Sequence, residues 1–307
     1  MIRTMAQLTQ LHGPSTNLLS EVKILGLIGT GHFMSHFYYL TLPLLITFLA
    51  ADYGFSPAQL GLFIAGFTSA AAVAQMPVGV LVDRIGARNI LVGGLLLEAT
   101  AIGAMAFVSS FPALFCLAVL AGLGHSVFHP ADYAIMLSSV DERRIGRAFS
   151  IHTFTGNAGS AIAPIMIAFL AALWHWKMAL MVVAGFGIIM ALAVASQAHV
   201  LKDHVKQDKN EKKKLKQPPV RSIRANLRLL MTPSVFILFS FFLVTTMATS
   251  GIQTFSIFTL VELHDISKTT ASTALTGFLI ASAVGVLVGG WIADVMPRHD
   301  MIAAVSF

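Results

Sequence analysis

The sequence predicts an all-α protein that spans a membrane many times, and three observations predict it. Of its 307 residues 56% are hydrophobic and 11% charged, with a mean hydropathy of +0.79; a soluble domain carries about 25% charged residues. Apolar runs of about 20 residues recur along the chain, the length that crosses about 30 Å of hydrocarbon at 1.5 Å per residue. Finally, a charged turn between two of these runs, Gly79-Val80-Leu81-Val82-Asp83-Arg84-Ile85-Gly86-Ala87-Arg88, returns in part 211 residues later, from Asp83 to Asp294. Lipid offers no partner to backbone N–H and C=O groups, so the runs must be helices and not open strands.

Spans are placed at 24–50, 59–80, 89–108, 112–137, 148–172, 177–197, 233–260 and 270–293, with a ninth beginning at Met301. On the first, His32 and His36 are four apart, and Gly29, Tyr39 and Pro43 share their face at 100° per residue. The second ends in the charged turn, with Gly79, Asp83, Arg84, Gly86 and Arg88. The third carries Glu98, about 15 Å in from Arg88, on a face with Gly94 and Ala101. The fourth aligns His125, His129 and Asp132 with Ala118 and Gly122, and holds the lone Cys116, which excludes a disulfide framework and a thiolate metal site. On the fifth, His152 is in line with Gly156, Gly159 and Ala163, a small-residue stripe that reads first as helix packing. The seventh aligns Thr246, Ser250 and Gln253, and the eighth ends in Gly290-Trp291-Ile292-Ala293-Asp294, then Pro297-Arg298.

Basic residues set the orientation. Arg3, Lys23, Arg84, Arg88, Arg143, Arg144, Arg147, the ten between Lys202 and Arg228, and Arg298 all fall on the side of the N-terminus; Lys177 and Lys268 alone fall opposite. The positive-inside rule makes that side cytoplasmic. The net charge of +6 therefore reads as a solvated linker and not as a nucleic-acid surface. Within the linker, Lys202–Lys216 is expected to be flexible, and Ser222–Met231 suits a short helix lying on the anionic leaflet. No cleavable signal peptide is expected before the first span.

The turn G-x-L-x-D-R-x-G-x-R and its echo at Gly290, Asp294 and Arg298 resemble the signature loops of the major facilitator superfamily. The echo lacks the arginine that follows the aspartate. The resemblance implies two fused six-helix halves, hence a cytoplasmic tail at 1–23, a complete N-terminal six-helix bundle at 24–197, a basic cytoplasmic linker at 198–232 and an incomplete C-terminal bundle at 233–307. Adding the 211-residue offset to the end of the sixth span puts the last helix of such a fold near about 408, so the chain is expected to be truncated after eight helices. Gly122-Leu123-Gly124, Phe128-His129-Pro130, and Gly156-Asn157-Ala158-Gly159-Ser160-Ala161 with Pro164 resemble the fosmidomycin-resistance branch, a group of proton-driven drug exporters. The run from Gly156 to Pro164 is also similar to the antiporter motif of the fifth helix, with Ala163 in place of its second glycine. Many drug antiporters carry an arginine where this chain has Ala118, so their arginine-based relay is absent.

An ionisable side chain inside a span costs about 2.5–3.5 kcal/mol on insertion scales and is a functional hypothesis by default. His32, His36, His125 and His129 lie about 12–20 Å deep and are expected to share one cavity, which the resemblance places in the central pathway with Tyr39, Asp132, Thr246, Ser250 and Gln253. Imidazole titrates near 6.5, so proton coupling is the leading role; Glu98 and His152 are candidate relay groups. Four imidazoles also suit a divalent ion, but no resident metal or cofactor is assigned. The expected function is secondary active transport, proton-coupled, of a small organic solute across a bacterial cytoplasmic (inner) membrane, leaning towards drug or metabolite efflux. The alternatives are an importer of a small organic acid or sugar, and a non-transporting membrane fragment. The i,i+4 histidine pairs imitate the boxes of di-iron desaturases, but those need around eight histidines with adjacent pairs, and this chain has none. No enzyme is expected. The expected partners are the solute, protons and the lipid bilayer, with no nucleic acid and a monomeric state when complete.

Overall fold

A computed structural model describes residues 18–197, 200–201, 232–266 and 268–296, and every regular element among them is a helix. In chain order these are α1 Leu18–Tyr53, α2 Pro57–Ile85, α3 Ala87–Ala104, α4 Phe111–His125, α5 Phe128–Ser139, α6 Ile145–Leu173, α7 Trp176–Ser196, α8 Pro233–His264 and α9 Lys268–Val295. With α4 and α5 counted as one crossing, eight are long and apolar enough to span a bilayer. The chain divides into two compact units, Met1–Val205 with Ile280–Phe307, and Lys206–Leu279.

Local chemistry explains the helix ends. Ser56 and Gln59 cap α2 reciprocally: Ser56 Oγ accepts from the Gln59 N–H at 3.3 Å and Gln59 Oε1 accepts from the Ser56 N–H at 2.9 Å, with Pro57 in the first turn. The charged turn is shorter than the sequence suggests. Helix α2 runs through Asp83 and Arg84 to Ile85, and Gly86 alone, at φ 97°, reverses the chain into α3. That conformation favours glycine. Asp83 and Arg84 are both exposed.

The expected single helix over 112–137 is interrupted at Ser126 and Val127. Pro130 accounts for this: it has no N–H to offer the Ser126 carbonyl, and its ring crowds that same oxygen. His125 thus ends α4, and His129 and Asp132 belong to α5.

Within the first unit α1 packs along α6, α2 along α4, and α3 against α4 and α7. Glycine sets how closely the helices approach. A Cβ on Gly159 would strike the Phe33 carbonyl of α1, and one on Gly122 the Phe67 carbonyl of α2. Two polar clasps sit near the opposite ends of α1. At its start, Arg144 grips the buried Glu21 through Nε at 2.8 Å and Nη2 at 2.7 Å, and the Asp141 N–H donates to Glu21 Oε1 at 3.1 Å. At its far end, Trp176 Nε1–H donates to Asp52 Oδ2 at 2.7 Å, while the Lys177 ammonium lies 5.5 Å from the Tyr53 ring centre and 5.4 Å from that of Trp176.

Residues 1–17, most of the basic linker including Lys202–Lys216 and Ser222–Met231, the Asp294 side chain, Arg298 and the segment from Met301 lie outside the described residues. Gly290 lies in α9.

Candidate functional site

Five imidazoles from four helices meet inside the first unit. His32 and His36 come from α1, His125 from the end of α4, His129 from the first turn of α5, and His152 from α6. The His32 ring centre lies 4.5 Å from that of His36, 5.4 Å from His129 and 3.6 Å from His152. His36 lies 6.0 Å from His125 and 6.4 Å from His129. The four histidines expected to face one cavity therefore come together, as a packed cluster of rings. Tyr39 stacks on His125 at 5.9 Å, and Tyr133 meets His129 at 5.5 Å and His152 at 5.7 Å.

Two buried carboxylates anchor the cluster. His152 Nε2 is 2.8 Å from Asp132 Oδ2, with both side chains almost wholly enclosed. His125 Nδ1 is 3.0 Å from Glu98 Oε1, and Glu98 has no exposed surface. At the depth of the hydrocarbon a lone ion is costly. A carboxylate beside an imidazolium, or a carboxylic acid beside an imidazole, is neutral as a pair, so one proton added to a carboxylate and a neutral imidazole, on either partner, removes the net charge.

The stripe read first as helix packing does approach α1 closely at Gly156 and Gly159, and the ring of His152, also a candidate relay group, lies against His32 and His129. Asp132 shares α5 with His129, and its hydrogen-bond partner is His152 across the helix interface. Glu98, on α3, points inward to His125. The signal for His152 was present in the stripe it shares with Gly156 and Gly159. A Cβ on Gly156 would lie 2.6 Å from His32 Cε1 and 3.0 Å from His36 Cδ2, so the glycine face of α6 is what admits the α1 rings.

Hydrogen bonds fix one ring unambiguously. His32 Nδ1 lies 2.9 Å from the His152 carbonyl oxygen, which can only accept, so Nδ1 carries the proton. Thr155 Oγ1 donates to that same oxygen at 2.7 Å. His36 Nδ1 is 3.3 Å from Ser160 Oγ. Four buried atoms of the cluster have no hydrogen-bond partner among the described residues: His32 Nε2, His129 Nδ1, Glu98 Oε2 and Asp132 Oδ1. An unsatisfied buried polar atom costs about 1–3 kcal/mol, and these four share one cluster.

The other expected site residues are placed as follows. Asn157 and Pro164 lie within α6; Thr246, Ser250 and Gln253 run along one side of α8 in the second unit. Between α1 and α6 runs a groove of about 410 Å³ lined by Gly26, Gly29, Thr30, Phe33, Ile151 and Thr155, with Val22 and Leu25 at its edge.

A family model described as Major Facilitator Superfamily matches residues 28–307. The chain is 25% identical over 288 residues to the fosmidomycin resistance protein of Escherichia coli (strain K12), a match that covers 94% of this chain and 69% of the relative. It is 26% identical over 286 residues to an uncharacterized MFS-type transporter of Bacillus subtilis (strain 168), covering 91% of this chain and 67% of that one. A shorter match, 32% identical over 88 residues, joins it to the multidrug resistance protein MdtH of Aeromonas hydrophila, covering 29% of this chain and 22% of the relative.

Proposed function

The chain belongs to the Major Facilitator Superfamily of membrane transporters, and on that premise we propose that it exports a small organic solute in exchange for protons. In this reading it is a multi-pass protein of a bacterial inner membrane and works as a monomer. Its N-terminus and the basic segment 198–232 face the cytoplasm in this reading, which the distribution of Lys and Arg supports. The export direction leans on the printed names of two relatives, a fosmidomycin resistance protein and a multidrug resistance protein.

The observation that carries proton coupling is the Glu98–His125 pair, 3.0 Å apart with the carboxyl fully buried. With one shared proton the pair is neutral. One proton taken from outside leaves it cationic in a medium that disfavours charge. Releasing that proton to the cytoplasm restores neutrality, and a solute carried outward can occupy the complementary half of the cycle. The Asp132–His152 pair, reached through the stacked ring of His32, offers a second store of the same kind.

The test uses everted membrane vesicles from cells producing the protein, with fosmidomycin as the probe and a pH-sensitive dye as the readout. Adding fosmidomycin to energised vesicles should release protons from their lumen. Glu98→Gln and His125→Gln should abolish that proton signal and uphill accumulation while retaining downhill exchange of the drug. Uphill accumulation with an intact proton signal in both variants overturns the reading.

The charged turn is assigned a different task. Asp83 and Arg84 are exposed at the end of α2, away from the imidazoles. Asp83→Asn should therefore lower the transport rate and leave apparent solute affinity within a few-fold. A large loss of affinity at normal turnover would contradict this.

A further inference from the structure

The geometry points to a site for a borderline divalent transition-metal ion, of the Zn²⁺ or Co²⁺ class, held by His32, His36 and His129. Each offers one ring nitrogen, and the three nitrogens lie within 4.8 Å of one another. In a tetrahedral site with metal–nitrogen bonds of about 2.0–2.1 Å the ligand nitrogens stand about 3.3 Å apart, so small ring rotations close the set. Imidazole nitrogen is the ligand type that such ions favour over Mg²⁺ or Ca²⁺.

Two independent features mark these rings as ligands. His32 Nδ1 donates to the His152 carbonyl, which leaves Nε2 as a lone pair on a ring that is only 3% exposed. A metal-binding histidine is ordinarily held in this way, its second nitrogen fixed by a carbonyl or carboxylate. His32 Nε2 and His129 Nδ1 are also both buried without a hydrogen-bond partner among the described residues, and a cation between them would satisfy both. The Asp132–His152 and Glu98–His125 pairs lie beside the three rings and are not themselves ligands. The bound ion would tie α1 to α5.

This site borders the Glu98–His125 pair but does not rest on the transport reading, and metal binding can be measured with no gradient and no drug. The tag-free chain in detergent, stripped of metal by a chelator, is titrated with Co²⁺ and followed by its visible d–d absorption. One equivalent should give a saturating signal of low-coordinate cobalt, bleached by one equivalent of Zn²⁺. His32→Gln and His129→Gln should each weaken binding about tenfold or more, at least as much as loss of an outer-shell partner does. His129→Cys should retain cobalt and add a thiolate charge-transfer band, which distinguishes ligand loss from misfolding. Glu98→Gln, predicted above to lose coupling, should still bind the ion, as should His175→Gln on the exposed turn before α7. The proposal is overturned by no saturable cobalt signal, by one that survives in both glutamine variants, or by a His129→Cys protein that keeps its melting temperature yet binds no cobalt.

Discussion

Gly159→Ala should lower the melting temperature of the detergent-solubilised protein by roughly 6–12 °C, corresponding to about 3 kcal/mol at the upper end of overpacking penalties. The added methyl would meet the Phe33 carbonyl oxygen and lie 3.0 Å from its carbon and 3.2 Å from the Phe37 nitrogen. Those are backbone atoms of α1, and no rotamer change moves them. The helices must separate, and the separation draws His32 away from His152, whose rings stack at 3.6 Å. Gly93→Ala is the matched control, because a Cβ there meets nothing within 4 Å; its effect should stay within about 0.5 kcal/mol. Equal melting temperatures for the two variants would show that α1 and α6 do not meet through their backbones.

Asp132→Ala should be the most damaging polar substitution outside the glycine contacts, costing about 2–3 kcal/mol. It strands His152 Nε2, now 2.8 Å from Asp132 Oδ2, in a place where both partners are nearly 0% exposed. Asp132→Asn separates structure from chemistry. Its amide oxygen can still accept from the imidazole, so most of the thermal stability should return, but the amide cannot take up or release a proton. Full stability together with reduced proton-coupled accumulation is the expected pattern for Asn, measured by melting and by the vesicle assay. If alanine melts like the wild type, the pair contributes nothing to the fold and the bond geometry is incidental.

Much of this architecture was legible because hydrocarbon imposes a simple length rule on the chain. Each of the first eight expected spans coincides with a crossing, and most differ only at their ends: α1 begins at Leu18 and not near Ile24, and α2 runs on to Ile85 past the apolar limit at Val80. Charged and polar residues at those ends remain helical because they stay in contact with water or with each other, as Glu21 does with Arg144. The interruption before Pro130 was missed because apolar character continues across it. On a single helix the i,i+4 spacing of His32 and His36 is visible from sequence alone. Which helix they meet is not, since both lipid and protein interior accept apolar residues and hydrophobic periodicity no longer marks a face. The His152–Asp132 and His125–Glu98 pairings depend on close approaches that glycine permits, and glycine declares no partner. Nor does the echo at Gly290 say more, with Arg298 outside the described residues.

The two clasps on α1 turn the helix into a ruler. From Glu21 to Asp52 the chain advances 31 residues, or about 46 Å at 1.5 Å per residue, close to the thickness of a bilayer with its headgroups. The Arg144 carboxylate grip and the Asp52–Trp176–Lys177 cluster both belong in the wet zones at the two faces. A thinner membrane can keep both there only by tilting α1, and a thicker one only by compressing its own lipid, each at a fraction of a kcal/mol per Å. Since α1 also carries His32 and His36, acyl-chain length becomes a mechanical input to the buried cluster. The protein's working rate should therefore have an optimum in lipid thickness, set by the distance between its own anchors.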